Sequence, residues 1–342
     1  MHKELETIIG QEKIPYNEVT FGLYAREDIM TENSTAGIKK DSLLDVINID
    51  EHGKGTFNAD LPAGNYYAKE LSTAKGYCLD TKEYDIHFEY ADSKEADITI
   101  CLNEGKPIMN NLIKGSIEII KTSEDSKIEG ISFLVKGNTE IGTSFEQIFV
   151  TNKDGRILIE NIPAGTYEIT EVKDNKTVGY ILPDSQTVTV SKEKTVVEVE
   201  NKLIRGGFRL LKTDENGTAL SGVKFGLFKK DGTRLLEFET DKDGMYSLSD
   251  LDYGDYYLQE LEAKKGYTFD KEEIYAFTVA EHEQIIEIHA VNEKIPDKPY
   301  TPSTPQTGDN SVDKRIYLAF GIFSAVSAGL FLILYRRKKS GK

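Results

Sequence analysis

The chain has 342 residues, 39% hydrophobic and 10% aromatic, which is enough apolar material for two or three domains with packed cores and excludes wholesale disorder. It carries 42 basic against 58 acidic residues, a net charge of −16, and no basic stripe before its extreme C-terminus, so nucleic acid is excluded as a partner. Tyr (18) and Phe (15) without Trp, among short runs of Val, Ile, Thr and Tyr, favour strands over helices.

In chain order, Met1-His2-Lys3-Glu4-Leu5-Glu6 lacks an apolar export segment, and the first strand of the first repeat is expected to be truncated. Phe21-Gly22-Leu23 is predicted as a second strand, followed by the longest candidate loop, Ala25 to Asp45. Leu61-Pro62-Ala63-Gly64-Asn65-Tyr66-Tyr67-Ala68-Lys69-Glu70 comes next, then Gly76-Tyr77 and a closing strand ending at Asn110-Asn111-Leu112-Ile113.

The same order of landmarks returns twice. Phe133-Leu134-Val135, Ile162-Pro163-Ala164-Gly165-Thr166-Tyr167-Glu168-Ile169-Thr170-Glu171, Gly179-Tyr180 and Asn201-Lys202-Leu203-Ile204 form one copy. Phe225-Gly226-Leu227, Leu251-Asp252-Tyr253-Gly254-Asp255-Tyr256-Tyr257-Leu258-Gln259-Glu260, Gly266-Tyr267 and Asn292-Glu293-Lys294-Ile295 form the other. The turns Asn152-Lys153-Asp154-Gly155 and Asp241-Lys242-Asp243-Gly244 are read as hairpin tips. These signals predict a mainly β chain of three tandem sandwich domains, residues 1–113, 114–204 and 205–295.

A Pro-rich linker, 296–310, precedes a terminal segment, 311–342. Within it Ile316 to Tyr335 is an uncharged run of 20, followed at once by Arg336, Arg337, Lys338 and Lys339. That pattern predicts a transmembrane helix with its basic end cytoplasmic.

Two cysteines cannot form a disulfide framework, and metal-ligand spacing is absent. Cys78 and Cys101 are expected as buried thiols, with a Cys78–Cys101 bridge as the alternative. Five scattered His residues show no nucleophile–base arrangement, so neither an enzyme acting on external substrates nor a cofactor is expected.

Strand alternation then places three polar residues in the core of each later repeat. Lys121 shares a face with Ile117 and Ile119, Glu171 with Tyr167 and Ile169, and Asn201 with Val197 and Val199. Lys212 aligns likewise with Phe208 and Leu210, Glu260 with Tyr256 and Leu258, and Asn292 with Ile288 and Ala290. In the first repeat Glu70 aligns with Tyr66 and Ala68, and Asn110 fits the spacing better than Asn103. Its lysine position falls on Ile8 or Ile9, which leaves Lys3 as the candidate if the loop to Phe21 is longer. Buried charges need partners or lose their charge. The residues alone leave two readings: a Lys–Glu ion pair bonded to Asn, or a covalent Lys–Asn link made by a desolvated amine beside a neutral Glu.

The pattern resembles the Cna B-type (prealbumin-like, SpaA-type) domains of Gram-positive adhesins and pilins, over residues 1–295. That resemblance implies autocatalytic isopeptide bonds Lys121–Asn201, Lys212–Asn292 and Lys3–Asn110, with Glu171, Glu260 and Glu70 as the catalytic carboxyls. Thr304-Pro305-Gln306-Thr307-Gly308, with the apolar run and basic tail, resembles the sortase sorting signal, although Thr304 stands where that family usually has Leu. This implies cleavage between Thr307 and Gly308, a transient membrane intermediate, and attachment to peptidoglycan. The whole implies a wall-anchored surface stalk or a minor or basal pilin, with sortase, peptidoglycan and other pilus subunits as partners. The alternative is an adhesin for a host matrix protein.

Overall fold

The computed structural model describes residues 1–30, 36–90 and 98–296. Alternating apolar residues build strands with one buried face, and pairs of sheets close over separate cores. Between residues 114 and 203, one sheet runs Arg156–Pro163, Lys114–Ser123, Lys194–Leu203 and Tyr180–Ile181. The other runs Ser144–Val150, Ser132–Thr139, Gly165–Glu171 and Gln186–Val190. Their core contains Ile117, Ile119, Phe133, Val135, Tyr167, Ile169, Val197 and Val199. Residues 205–294 repeat this plan strand for strand, around Phe208, Leu210, Phe225, Leu258 and Ala290.

The N-terminal copy keeps the second sheet, Leu43–Asn48, Thr20–Ala25, Gly64–Ser72 and Glu83–Phe88. Its first sheet is reduced to Lys3–Leu5 beside Ile108–Asn110. In all three copies the opening and closing strands run parallel as neighbours. Force applied at the N-end of the first strand and the C-end of the last is therefore a shear along that ladder.

The recurrent Pro-Ala-Gly-x-Tyr phrase has a local cause. Tyr66 and Tyr167 bury their rings and donate their hydroxyls to the carbonyls of Pro62 and Pro163, at 2.5 and 2.6 Å, and Tyr256 does the same to Asp252 at 2.8 Å. The Gly-Tyr pairs are equally regular. Gly76, Gly179 and Gly266 have φ of 83°, 89° and 92°, and each carbonyl accepts the N–H of the residue ending its copy, Ile113, Ile204 or Ile295, at 2.8 Å.

Several expectations change. The turns at Gly155 and Gly244 are tight but do not close hairpins: each carries the chain from one sheet to the other. Asp-Gly chemistry fixes the local reversal, while pairing partners are chosen by the cores. Cys78 is half-buried and Cys101 exposed, and both are free. The neighbours Tyr77 and Leu102 take the inward positions, so the thiols do not act as core residues. The Ala25–Asp45 stretch includes a small hairpin, Ile29–Met30 with Ala36–Ile38, before the strand at Leu43 begins. Among the described residues no helix is long and apolar enough to cross a membrane. The predicted span Ile316–Tyr335 and the pentapeptide Thr304–Gly308 lie outside the described residues.

Candidate functional site

Each parallel ladder sets its lysine two residues behind its asparagine. Lys3 pairs with Ile108, Lys121 with Val199 and Lys212 with Ala290, so Asn110, Asn201 and Asn292 follow on the same face. The glutamate comes from the opposing sheet. Glu70, Glu171 and Glu260 lie directly across from Phe21, Phe133 and Phe225 of the second strand, which wall the cluster on that side. All nine polar residues are buried, and the three lysines are at most 1% exposed.

In the first copy Lys3 Nζ donates to Asn110 Oδ1 at 2.5 Å and lies 3.3 Å from Glu70 Oε1. Asn110 Nδ2 donates to Glu70 Oε1 and Oε2 at 2.7 and 3.0 Å. The third copy repeats this: Lys212 Nζ donates to Asn292 Oδ1 at 2.5 Å and is 3.0 Å from Glu260 Oε2, while Asn292 Nδ2 donates to Glu260 Oε1 at 2.7 Å. In the second, Asn201 Nδ2 donates to Glu171 Oε1 at 2.5 Å, but Lys121 Nζ turns to the carbonyl of Thr122 at 2.6 Å and stands 3.7 Å from Glu171 Oε2. Lys3, identified only by a loop-length allowance, thus occupies the lysine position, and Ile8 and Ile9 lie outside the cluster.

Burial acts on both partners in the direction that favours proton exchange. Loss of solvation lowers the affinity of Lys3, Lys121 and Lys212 for their protons, against the pull of the neighbouring carboxylate. The same loss raises the carboxyls of Glu70 and Glu171 above their ordinary range. In the first and third copies Nζ already touches the carboxamide oxygen of Asn, so a lysine that gives up its proton stands beside the carboxamide carbon, whereas Lys121 is turned to the carbonyl of Thr122. This set can form an amide.

The sequence pattern marked Gly155 and Gly244 only as turn residues and left Gly53 unmarked, yet all three glycines seat the lysines. The N–H of Lys3, Lys121 and Lys212 donates to the carbonyl of Gly53, Gly155 and Gly244 at 2.7, 2.8 and 2.7 Å. A Cβ on these glycines would meet the lysine carbonyl oxygen at 2.4, 2.6 and 2.4 Å, and their φ values are +75°, +71° and +71°. The signal was present as a recurring turn glycine ten or eleven residues before the Gly of the Gly-x-Tyr phrase. Thr73 and Asp80, which bond to the first cluster, gave no repeated signal.

A family model described as SpaA, prealbumin-like fold domain, matches the chain at residues 9–101, 115–203 and 206–294. A collagen adhesin of Staphylococcus aureus is 40% identical over 83 residues, which is 22% of this chain and 7% of the adhesin. Among solved structures, the Bacillus anthracis TIE protein aligns over 86% of this chain and 56% of its own, with a TM-score of 0.50 and 19% identity. The minor pilin GBS52 of Streptococcus agalactiae aligns over 56% of this chain and 100% of its own, with a TM-score of 0.27 and 22% identity. The TIE likeness speaks for the fold.

Proposed function

Because the chain belongs to the SpaA family of prealbumin-like fold domains, we propose that it is a load-bearing surface stalk or minor pilin-like protein whose domains crosslink themselves. The domains are 1–113, 114–204 and 205–295. Its bonds are Lys3–Asn110, Lys121–Asn201 and Lys212–Asn292, served by Glu70, Glu171 and Glu260. The observation that carries this reading is the threefold return of one buried Lys–Glu–Asn cluster at one register of the parallel ladder.

In each bond the lysine nitrogen pair attacks Asn Cγ, the Cγ–Nδ2 bond breaks, and ammonia leaves. An ammonium gives up two protons on the way. One ends on the departing nitrogen, and the other passes to the glutamate, which thereby returns to its acid form. The glutamate faces Nδ2, where it can relay the proton to the departing nitrogen. In the second and third copies the bond lies near the C-terminal ends of both strands, so tension reaching Lys121 crosses directly to Asn201 and bypasses the residues between them. Wall attachment through Thr304–Gly308, with Ile316–Tyr335 as a transient membrane span, completes the reading; sortase and peptidoglycan are the partners. The adhesin identity over 83 residues favours a second reading, in which the chain also binds a host matrix protein.

Intact mass of the folded chain tests the crosslinks. One ammonia is expected to be missing per domain, with Lys121→Ala and Lys212→Ala each restoring one. Full sequence mass in a folded sample would refute them.

A further inference from the structure

The three clusters differ around the asparagine. Asn110 Nδ2 also donates to Thr73 Oγ1 at 2.6 Å, one residue beyond the strand Gly64–Ser72. On the other side, Glu70 Oε2 accepts the main-chain N–H of Asp80 at 2.6 Å. In the second cluster the residue three beyond the glutamate is Asp174, and the residue matching Asp80 is Pro183, which has no N–H. There Glu171 Oε2 and Asn201 Oδ1 are buried without a hydrogen-bond partner among the described residues. In the third cluster the residue matching Thr73 is Ala263.

We propose that Thr73 is a positioning residue for the Lys3–Asn110 crosslink, holding the carboxamide plane so that its Cγ face stays open to Lys3 Nζ. This rests on the reading of the clusters as crosslinking sites. The terminal torsion of Asn is broad and roughly two-fold, so the carboxamide is fixed only by what its two ends touch. Asn110 has bonds at both ends: Oδ1 to Lys3, and Nδ2 to Glu70 and Thr73. A hydroxyl is both donor and acceptor. It accepts from Nδ2 in the resting state, and it can donate to the same nitrogen once attack on Cγ frees the nitrogen lone pair. The balance is that of the crosslink itself: the Nζ–Cγ bond forms, Cγ–Nδ2 breaks, and ammonia departs with a proton released from Nζ. Thr73 gains and loses no atom.

The test follows crosslinking in the full chain from its synthesis. Cell-free translation is quenched at intervals in denaturant, and tryptic peptides joined through each of the three bonds are quantified by mass spectrometry. Losing one hydrogen bond to the reacting group is expected to slow the Lys3–Asn110 bond about three- to tenfold in Thr73→Val. The other two bonds serve as internal standards and keep their rates, while Thr73→Ser restores the first. Ala263→Thr is expected to accelerate the Lys212–Asn292 bond, which tests the idea even if Thr73→Val fails to fold. The proposal falls if Thr73→Val crosslinks at the unsubstituted rate, or if Val and Ser slow it equally. It also falls if a folded Ala263→Thr chain shows no gain. Absence of a Lys3–Asn110 bond in the unsubstituted chain would instead sink the crosslinking reading at that site.

Discussion

Lys212→Met gives the sharpest measure of what one bond contributes. Methionine has similar length, and it fills the face shared with Phe208 and Leu210 without an amine. The Lys212 and Asn292 positions are separated by 80 residues. Releasing a closed loop of roughly that length returns about 4.5 kcal/mol of chain entropy to the unfolded state. For a domain of this size each kcal/mol moves the midpoint by roughly 4–8 °C, so the domain transition should fall by about 18–36 °C. In the crosslinked domain Lys212 is already an amide nitrogen, so the substitution removes the bond and no Lys212–Glu260 ion pair. Calorimetry of the full chain resolves the effect, with the transitions of residues 1–204 left in place. A double variant, Lys212→Met with Asn292→Leu, should lose little more than the single, since both substitutions remove the same bond. Equal midpoints for Lys212→Met and the unsubstituted chain would rule out a stabilising Lys212–Asn292 bond, as would independent losses that simply add.

Other consequences are open to measurement. In Asn201→Leu, which cannot crosslink, the second domain should have a stability minimum in pH. Glu171 is raised, so the folded state holds the extra proton and stability falls as pH rises from the ordinary carboxyl range through the folded value; Lys121 is lowered, so stability recovers as pH climbs from its folded value towards 10.5. Thermal midpoints from pH 4 to 10 read this, and a monotonic profile would contradict it. Gly244→Ala should cost about 2 kcal/mol or more in urea unfolding, because φ is +71° and the new Cβ would lie 2.4 Å from the Lys212 carbonyl oxygen. A reductant should leave every transition unchanged, since Cys78 and Cys101 are free. In a sortase-bearing Gram-positive host, Thr307→Ala should move the exported chain from the wall fraction to the membrane or the medium; unchanged wall attachment would refute the sorting reading.

Much of the cluster was legible because strand alternation is a local property. Lys121 shares its face with Ile117 and Ile119 whatever its strand pairs with, so its burial follows from the sequence once the strand is granted. Repetition did the same for Glu260 and Asn292, whose places follow from Glu171 and Asn201. The first lysine was harder. The distance from Lys3 to Phe21 departs from the later copies, and only the parallel pairing of Lys3–Leu5 with Ile108–Asn110 decided the position.

The strand faces, the threefold repeat, the buried polar triads and the terminal apolar run are all local in sequence, because period-two alternation and turn residues are written in neighbouring positions. Which sheet each strand joins depends on the packed cores. The Asp-Gly turns at Gly155 and Gly244 therefore reverse the chain without making hairpins. Tertiary packing also decided what meets the clustered Lys, Glu and Asn groups: the glycine carbonyls under each lysine, Thr73 on Asn110, and the two atoms beside Lys121 left without partners among the described residues. Those contacts join residues far apart in the chain, and hydrogen bonds across a core depend on the packing of both sheets.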